Sequence, residues 1–219
     1  MNSPIIQLLV LAGIAVFLIL RLRGVLGTRE GYEKPAVTRP DPARRAKPEF
    51  DVIEGGPDLD ITDHVAEDSP AAKAFAEMKR IDPSFSVGEF LGGARGAYEM
   101  ILMAFEKGEL DEIVPFISED VYEAFATVVD ERQRNGLTIE ANFIGISDIN
   151  IVTAEFDDQT KDADITVRFK SEMTSIVRDN AGDVIEGSDT EIKRQKDVWT
   201  FSRKMDSDDP NWRLVATGE

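Results

Sequence analysis

Residues 118–156 read SEDVYEAFATVVDERQRNGLTIEANFIGISDINIVTAEF, and the hydrophobic period changes inside this stretch at Gly136. Before it, Val121, Tyr122, Phe125, Val128 and Val129 recur at spacings of three and four, the mark of one buried helix face. Ser118 caps that helix, and Glu119 and Asp120 sit in its first turn. Arg132 and Arg134 suit the negative end of the helix dipole, and Asn135-Gly136 closes it. From Leu137 to Phe156 the period is two, which is a strand. Its apolar parity slips near Phe143-Ile144 and again near Ile151-Val152. A one-residue slip turns every later side chain to the opposite face, so bulges are expected at both places.

Upstream the pattern is helical. Ser69-Pro70 opens a helix carrying Ala71, Ala74, Phe75 and Met78 on one face, and Asp82-Pro83 stops it. Ser86-Val-Gly-Glu89 is a capping box. It opens the longest apolar stripe of the chain: Phe90, Leu91, Ala94, Ala97, Tyr98, Ile101, Leu102 and Phe105, ended by Gly108. Gly92, Gly93 and Gly96 lie inside this helix although each costs about 1 kcal/mol of helix propensity. A close approach of helix to sheet is the expected reason. The same spacing turns Glu99 and Glu106 away from the stripe, toward solvent. Glu109–Ile117 is a short turn or helix broken by Pro115.

Downstream the pattern stays extended. Ala163, Ile165, Val167, Phe169 and Met173 alternate with polar residues, and Asp179-Asn-Ala-Gly182 is a hairpin turn. Thr190–Met205 is a further strand, Asp206–Pro210 turns, and Trp212, Leu214 and Ala216 close the sheet. Helices followed by consecutive strands imply an α+β domain with an antiparallel sheet over residues 69–219.

The N-terminal third reads differently. Met1–Leu20 holds no charged side chain, and about 20 helical residues span the roughly 30 Å core of a bilayer. Residues 1–23 are therefore expected to be a transmembrane anchor, with Ile5, Leu9, Ile14, Phe17 and Leu20 in the span. Basic residues follow the apolar run, and no small-residue exit appears, so a cleaved signal peptide fits less well. Arg21 and Arg23 set the topology by the positive-inside rule and place the C-terminal domain on the cytoplasmic side. Residues 24–68 lack periodicity, carry many Gly and Pro, and read as a flexible linker, basic first and then acidic. His64 falls in it as an exposed residue. Asp58-Leu-Asp60-Ile-Thr62 has the look of a calcium loop without its glycine or closing glutamate.

Charge follows the same division. The chain carries −17, but residues 1–47 hold eight Lys/Arg against three carboxylates, which leaves −22 for the rest. An acidic domain excludes general nucleic-acid binding. The absence of cysteine excludes disulfides and thiolate chemistry. No catalytic or metal-binding motif appears, so neither an enzyme nor a cofactor is expected.

Three features occur in order: Asp82-Pro-Ser-Phe85 with Phe90-Leu-x-Gly-Ala94, then Gly108 and Leu110, then Val198-Trp-Thr-Phe-Ser-Arg203 with Pro210-Asn-Trp-Arg-Leu214. Together they resemble the Tim44-like domain, and the anchor and linker resemble its bacterial inner-membrane members. The resemblance implies a cone-shaped, curved-sheet fold related to nuclear-transport-factor-two-like domains, with an apolar pocket between helices and sheet. Phe90, Ala94, Tyr98, Trp199 and Phe201 are its candidate lining, or else ordinary core. It also implies a non-enzymatic adaptor at an inner membrane. Its partners would be membrane lipids, a DnaK-type chaperone, translocon components or client chains, and not nucleic acid. The alternatives are a lipid or hydrophobic-ligand binder and a secretion-assembly scaffold.

Overall fold

A computed structural model of the protein describes residues 56–218. The anchor residues Ile5, Leu9, Ile14, Phe17 and Leu20, the topology-setting Arg21 and Arg23, and the linker up to residue 55 lie outside the described residues. Among those described, no helix is long and apolar enough to cross a membrane.

The elements run α1 (Leu59–Thr62), α2 (Pro70–Ile81), α3 (Val87–Lys107), a 3-10 turn (Leu110–Phe116) and α4 (Glu119–Arg134). Four strands follow: β1 (Thr138–Phe156), β2 (Asp162–Arg178), β3 (Val184–Lys204) and β4 (Arg213–Gly218). The strands form one antiparallel meander in the order β1-β2-β3-β4, so helices precede and pack on an antiparallel sheet, as the change of period predicts.

The helix ends obey local capping chemistry. The side chains of Ser69, Ser86 and Ser118 accept hydrogen bonds from the amides of Ala72, Glu89 and Val121. Gly108 closes α3 at φ 76°, a left-handed conformation that favours glycine. In β1 the register shifts at Phe143/Gly145, Ile146/Asp148 and Ile151/Thr153. These include both places where the apolar parity slips, and bulges of this kind bend a strand. Gly182, at φ 87°, completes the β2–β3 turn. A second glycine is needed in β3. Gly187 takes φ 80°, and a Cβ there would meet the Ser175 carbonyl oxygen.

The core lies on one face of the sheet. Along β2, Ala163, Ile165, Val167, Phe169, Ser171 and Met173 are buried, and the intervening residues are more exposed. The α3 residues Phe90, Leu91, Ala94, Tyr98, Ile101 and Leu102 meet them. Val121 and Val129 of α4 are buried, whereas Val128, expected on the same face, is 40% exposed.

Three local expectations are corrected. First, the folded part begins before Ser69. Asp58–Val65, read as linker, forms a helical turn with Ile61 buried in the core and Val65 packed against it. The cause is long-range, since the Asp60 carboxylate bonds Ser86, Val87 and Gly88, which local pattern does not reveal. His64 is exposed, as expected, but sits in this ordered turn. Second, a Cβ on Gly92, Gly93 or Gly96 would meet nothing within 4 Å, so these glycines do not serve a close approach within the domain. Third, Glu106 is half-buried rather than solvated, because the end of α3 overhangs the sheet beside Met173 and Lys193.

Candidate functional site, an aromatic cleft beside α3

The chain of aromatic contacts explains how the site is built. Phe75 meets Phe85, Phe85 meets Trp212, and Trp212 crosses Phe90 edge-on with ring centroids 4.8 Å apart. Phe90 meets Phe201 at 6.0 Å. These residues come from α2, the 82–86 turn, α3, β3 and the loop before β4. Each such pair adds about 0.5–1.5 kcal/mol beyond area burial, which fixes the rings without filling the space above them.

That space is a cleft of about 560 Å³, within the range typical of ligand sites. Phe85, Phe90, Ala94, Phe201 and Trp212 form its floor. The bare face of α3 at Gly93, Gly96 and Ala97 and the side chains of Met100 and Phe116 form its walls. Met100 is 37% exposed there, an apolar side chain left facing water. Small residues keep the wall low, and the missing Cβ atoms leave the α3 backbone accessible.

One end of the cleft is polar. Arg203 pairs with Asp82 at 3.0 Å, with both side chains largely withdrawn from solvent, and its Nε donates to the Asp209 carbonyl. The Ser84 hydroxyl and amide, then the Arg203 guanidinium, hold the Asp82 carboxyl below the usual carboxylate range despite partial burial. Glu89, exposed, completes the rim. The Asp82 carboxylate is thus committed to an ion pair and is not free to act as a base.

Of the candidate residues, Phe90, Ala94 and Phe201 line the cleft. Trp199 lines a separate hollow of about 220 Å³ beside Leu102, Phe105 and Phe125. Tyr98 lines neither. It is fully buried and stacked on Phe169 at 4.3 Å, and its hydroxyl bonds Ser171 and the Asp197 carboxylate. Burial, followed by the Asp197 carboxylate, pushes the phenol well above its ordinary value. Tyr98 and Asp197 therefore make a structural polar anchor beneath α3. Sequence reasoning missed Phe85, Gly93, Gly96, Met100, Phe116 and Trp212. The α3 glycines were the available signal, since three costly residues in one helix call for a use.

Nothing in the cleft resembles a catalytic set. Among the described residues, no group of three His, Cys, Asp or Glu side chains is placed to hold a metal ion. What the arrangement offers is apolar, aromatic contact with one polar end, suited to binding an apolar segment.

The Tim44-like domain family matches residues 71–219, which includes every residue of the cleft. The human mitochondrial import inner membrane translocase subunit TIM44 is 26% identical over 147 residues, covering 66% of this chain and 32% of that protein. The Arabidopsis thaliana subunit TIM44-1 is 23% identical over 162 residues, covering 71% and 34%. The chain thus spans about a third of the length of these relatives. Among solved structures, the intermembrane space region of the chloroplast protein ARC6 aligns with a TM-score of 0.40 and 11% identity, over 57% of this chain and 92% of that one.

Proposed function

Because the chain belongs to the Tim44-like domain family, we propose that it is a non-enzymatic adaptor in protein translocation at an inner membrane. The cleft beside α3 is its contact for apolar segments of client chains. The observation that carries this reading is the cleft itself: an open, aromatic-floored site inside the family domain with no reactive group at its centre. Relatives named as subunits of an inner membrane translocase support the setting. In this reading residues 1–23 anchor the chain, with Arg21 and Arg23 on the cytoplasmic side, and residues 24–55 tether the domain. A DnaK-type chaperone or a translocon component is the partner class to which the bound client passes. The strongly acidic domain disfavours a role on nucleic acid.

Depletion of the protein should leave untranslocated precursors, and re-expression should clear them. Re-expression of a Gly96→Trp chain, with the cleft filled, should not. Full rescue by that variant would remove the cleft from the function.

A second reading has its own support. The cleft's volume also suits one acyl chain, which makes a lipid or hydrophobic ligand the alternative occupant. Native mass spectrometry of the purified chain separates the two, because a lipid occupant adds one discrete lipid mass, whereas client segments of differing sequence add differing peptide masses.

A further inference from the structure

The N-terminus of α3 is held from far away in sequence. The Asp60 carboxylate accepts from the Ser86 hydroxyl at 2.8 Å, from the Val87 amide at 2.8 Å and from the Gly88 amide at 3.0 Å. Two amides that a helix start leaves without intrahelical partners are thus satisfied by a residue 27 and 28 positions upstream. Lys79 of α2 then pairs with both Asp58, at 2.7 Å, and Asp60, at 2.8 Å. Ile61 is buried beneath the turn at 5% exposure. Burial opposes ionisation of Asp60, but Lys79, the two amides and Ser86 outweigh it and hold the carboxyl far below the usual range.

This attachment has a position as well as a strength. Ser86 belongs to the cleft, as do Asp82, Ser84, Phe85, Glu89 and Phe90 on either side of it. The segment also lies outside the family match, which begins at residue 71. Its residues are mostly exposed and its fixings are few: Asp58 and Asp60 on the Lys79 ammonium, Asp60 on the start of α3, and the packing of Ile61 and Val65. Such an element detaches at far lower cost than the core unfolds.

We propose that Asp58–Val65 is a strap that clamps the α3 end of the cleft, so that displacing it loosens the Asp82–Phe90 wall and admits a larger apolar segment. Anchor and tether are read in the sequence before this segment. Tension on the preceding chain, or a partner that captures the acidic stretch, would therefore be transmitted directly to the binding site. The inference rests on the cleft being that site.

Two substitutions in the full chain test it, Asp60→Ala at the polar fixing and Ile61→Ala at the apolar one. The readout is acrylamide quenching of Trp212, whose ring packs on Phe85 and Phe90, while Trp199 is buried and adds a constant background. Hydrogen exchange at Val87, Gly88 and the interior of α3 is measured alongside. The strap predicts a quenching constant raised about twofold and Val87 and Gly88 exchange at least tenfold faster, with Ile101 and Leu102 unchanged, in both variants. Unchanged quenching in either folded variant, or uniform acceleration along all of α3, would overturn it. Because no client enters this measurement, its failure is separate from that of the proposed function. If the strap responds but cleft positions never contact clients, the adaptor reading fails and the strap stands.

Discussion

The three glycines of α3 make the sharpest test of how the cleft is built. In a helix interior each Gly costs roughly 0.8–1.0 kcal/mol relative to Ala, and a Cβ at Gly92, Gly93 or Gly96 meets nothing within 4 Å. No steric penalty therefore offsets the propensity gain. The triple variant Gly92→Ala, Gly93→Ala and Gly96→Ala should be more stable by about 2–3 kcal/mol, the sum of three propensity differences with no tertiary contact to offset them. For a domain of this size about 1 kcal/mol moves Tm by roughly 2–4 °C, so Tm should rise by about 5–10 °C in a circular-dichroism melt. The positions should then part in function. Gly93 and Gly96 line the cleft and Gly92 does not, so Gly92→Ala should keep client binding, whereas a bulky residue at 96 should abolish it with stability unharmed. A fall in Tm for the alanine variants would refute the reasoning, since it would mean that the glycines serve packing inside the domain.

Other outcomes follow from the polar groups. Replacing Tyr98 by Phe leaves Ser171 and Asp197 without their shared partner and should cost about 1–3 kcal/mol in urea unfolding, with client binding retained. Replacing Arg203 by Ala strips a mostly buried Asp82 of its ion pair, and a similar loss of roughly 1.5–3 kcal/mol is expected, together with a loosened cleft end. Burial raises the Glu106 carboxyl above its ordinary value, against the pull of Arg132 and Lys193. An acid raised in the fold costs stability once ionised, so Glu106→Gln should stabilise the domain at pH 8 and make little difference well below the ordinary glutamate range. Asp60 and Asp82 have the opposite sign. Their lowered carboxyls stabilise the fold above the ordinary aspartate range, and that contribution is lost as pH falls through their folded-state values. Thermal melts between pH 2 and 8, with Asp60→Asn as the comparison, check this.

Much of the fold is written in local pattern. The switch at Gly136, the serine caps and the parity slips of β1 are all effects between near neighbours, and the structure places elements and bulges where those patterns put them. The misses share one cause, dependence on residues distant in the chain. Asp60 reads as linker because its partners are Ser86 to Gly88. Glu106 reads as solvated because helical spacing cannot see β3 beneath it. The cleft was half legible: Phe90, Ala94 and Phe201 belong to an apolar stripe and an alternating strand. Phe116 sits in a 3-10 turn where no period marks it, and Trp212 shares the alternation of Leu214 and Ala216, which marks it as sheet rather than as cleft. Tyr98 reads as either pocket lining or ordinary core, and its full burial and the Ser171 and Asp197 contacts, which no local pattern shows, make it core.

Entry of apolar client segments into the cleft is the central proposal, and site-specific photo-crosslinking from the full chain in cells asks this directly. The probe is placed at Met100 and Gly93 within the cleft, and at Ile144 and Val152, which are about half exposed and lie outside it. Adducts with precursor chains are expected from Met100 and Gly93 and should disappear when Gly96→Trp is added, with none from Ile144 or Val152. Equal yields from all four positions, or cleft adducts that persist with Gly96→Trp, would contradict it.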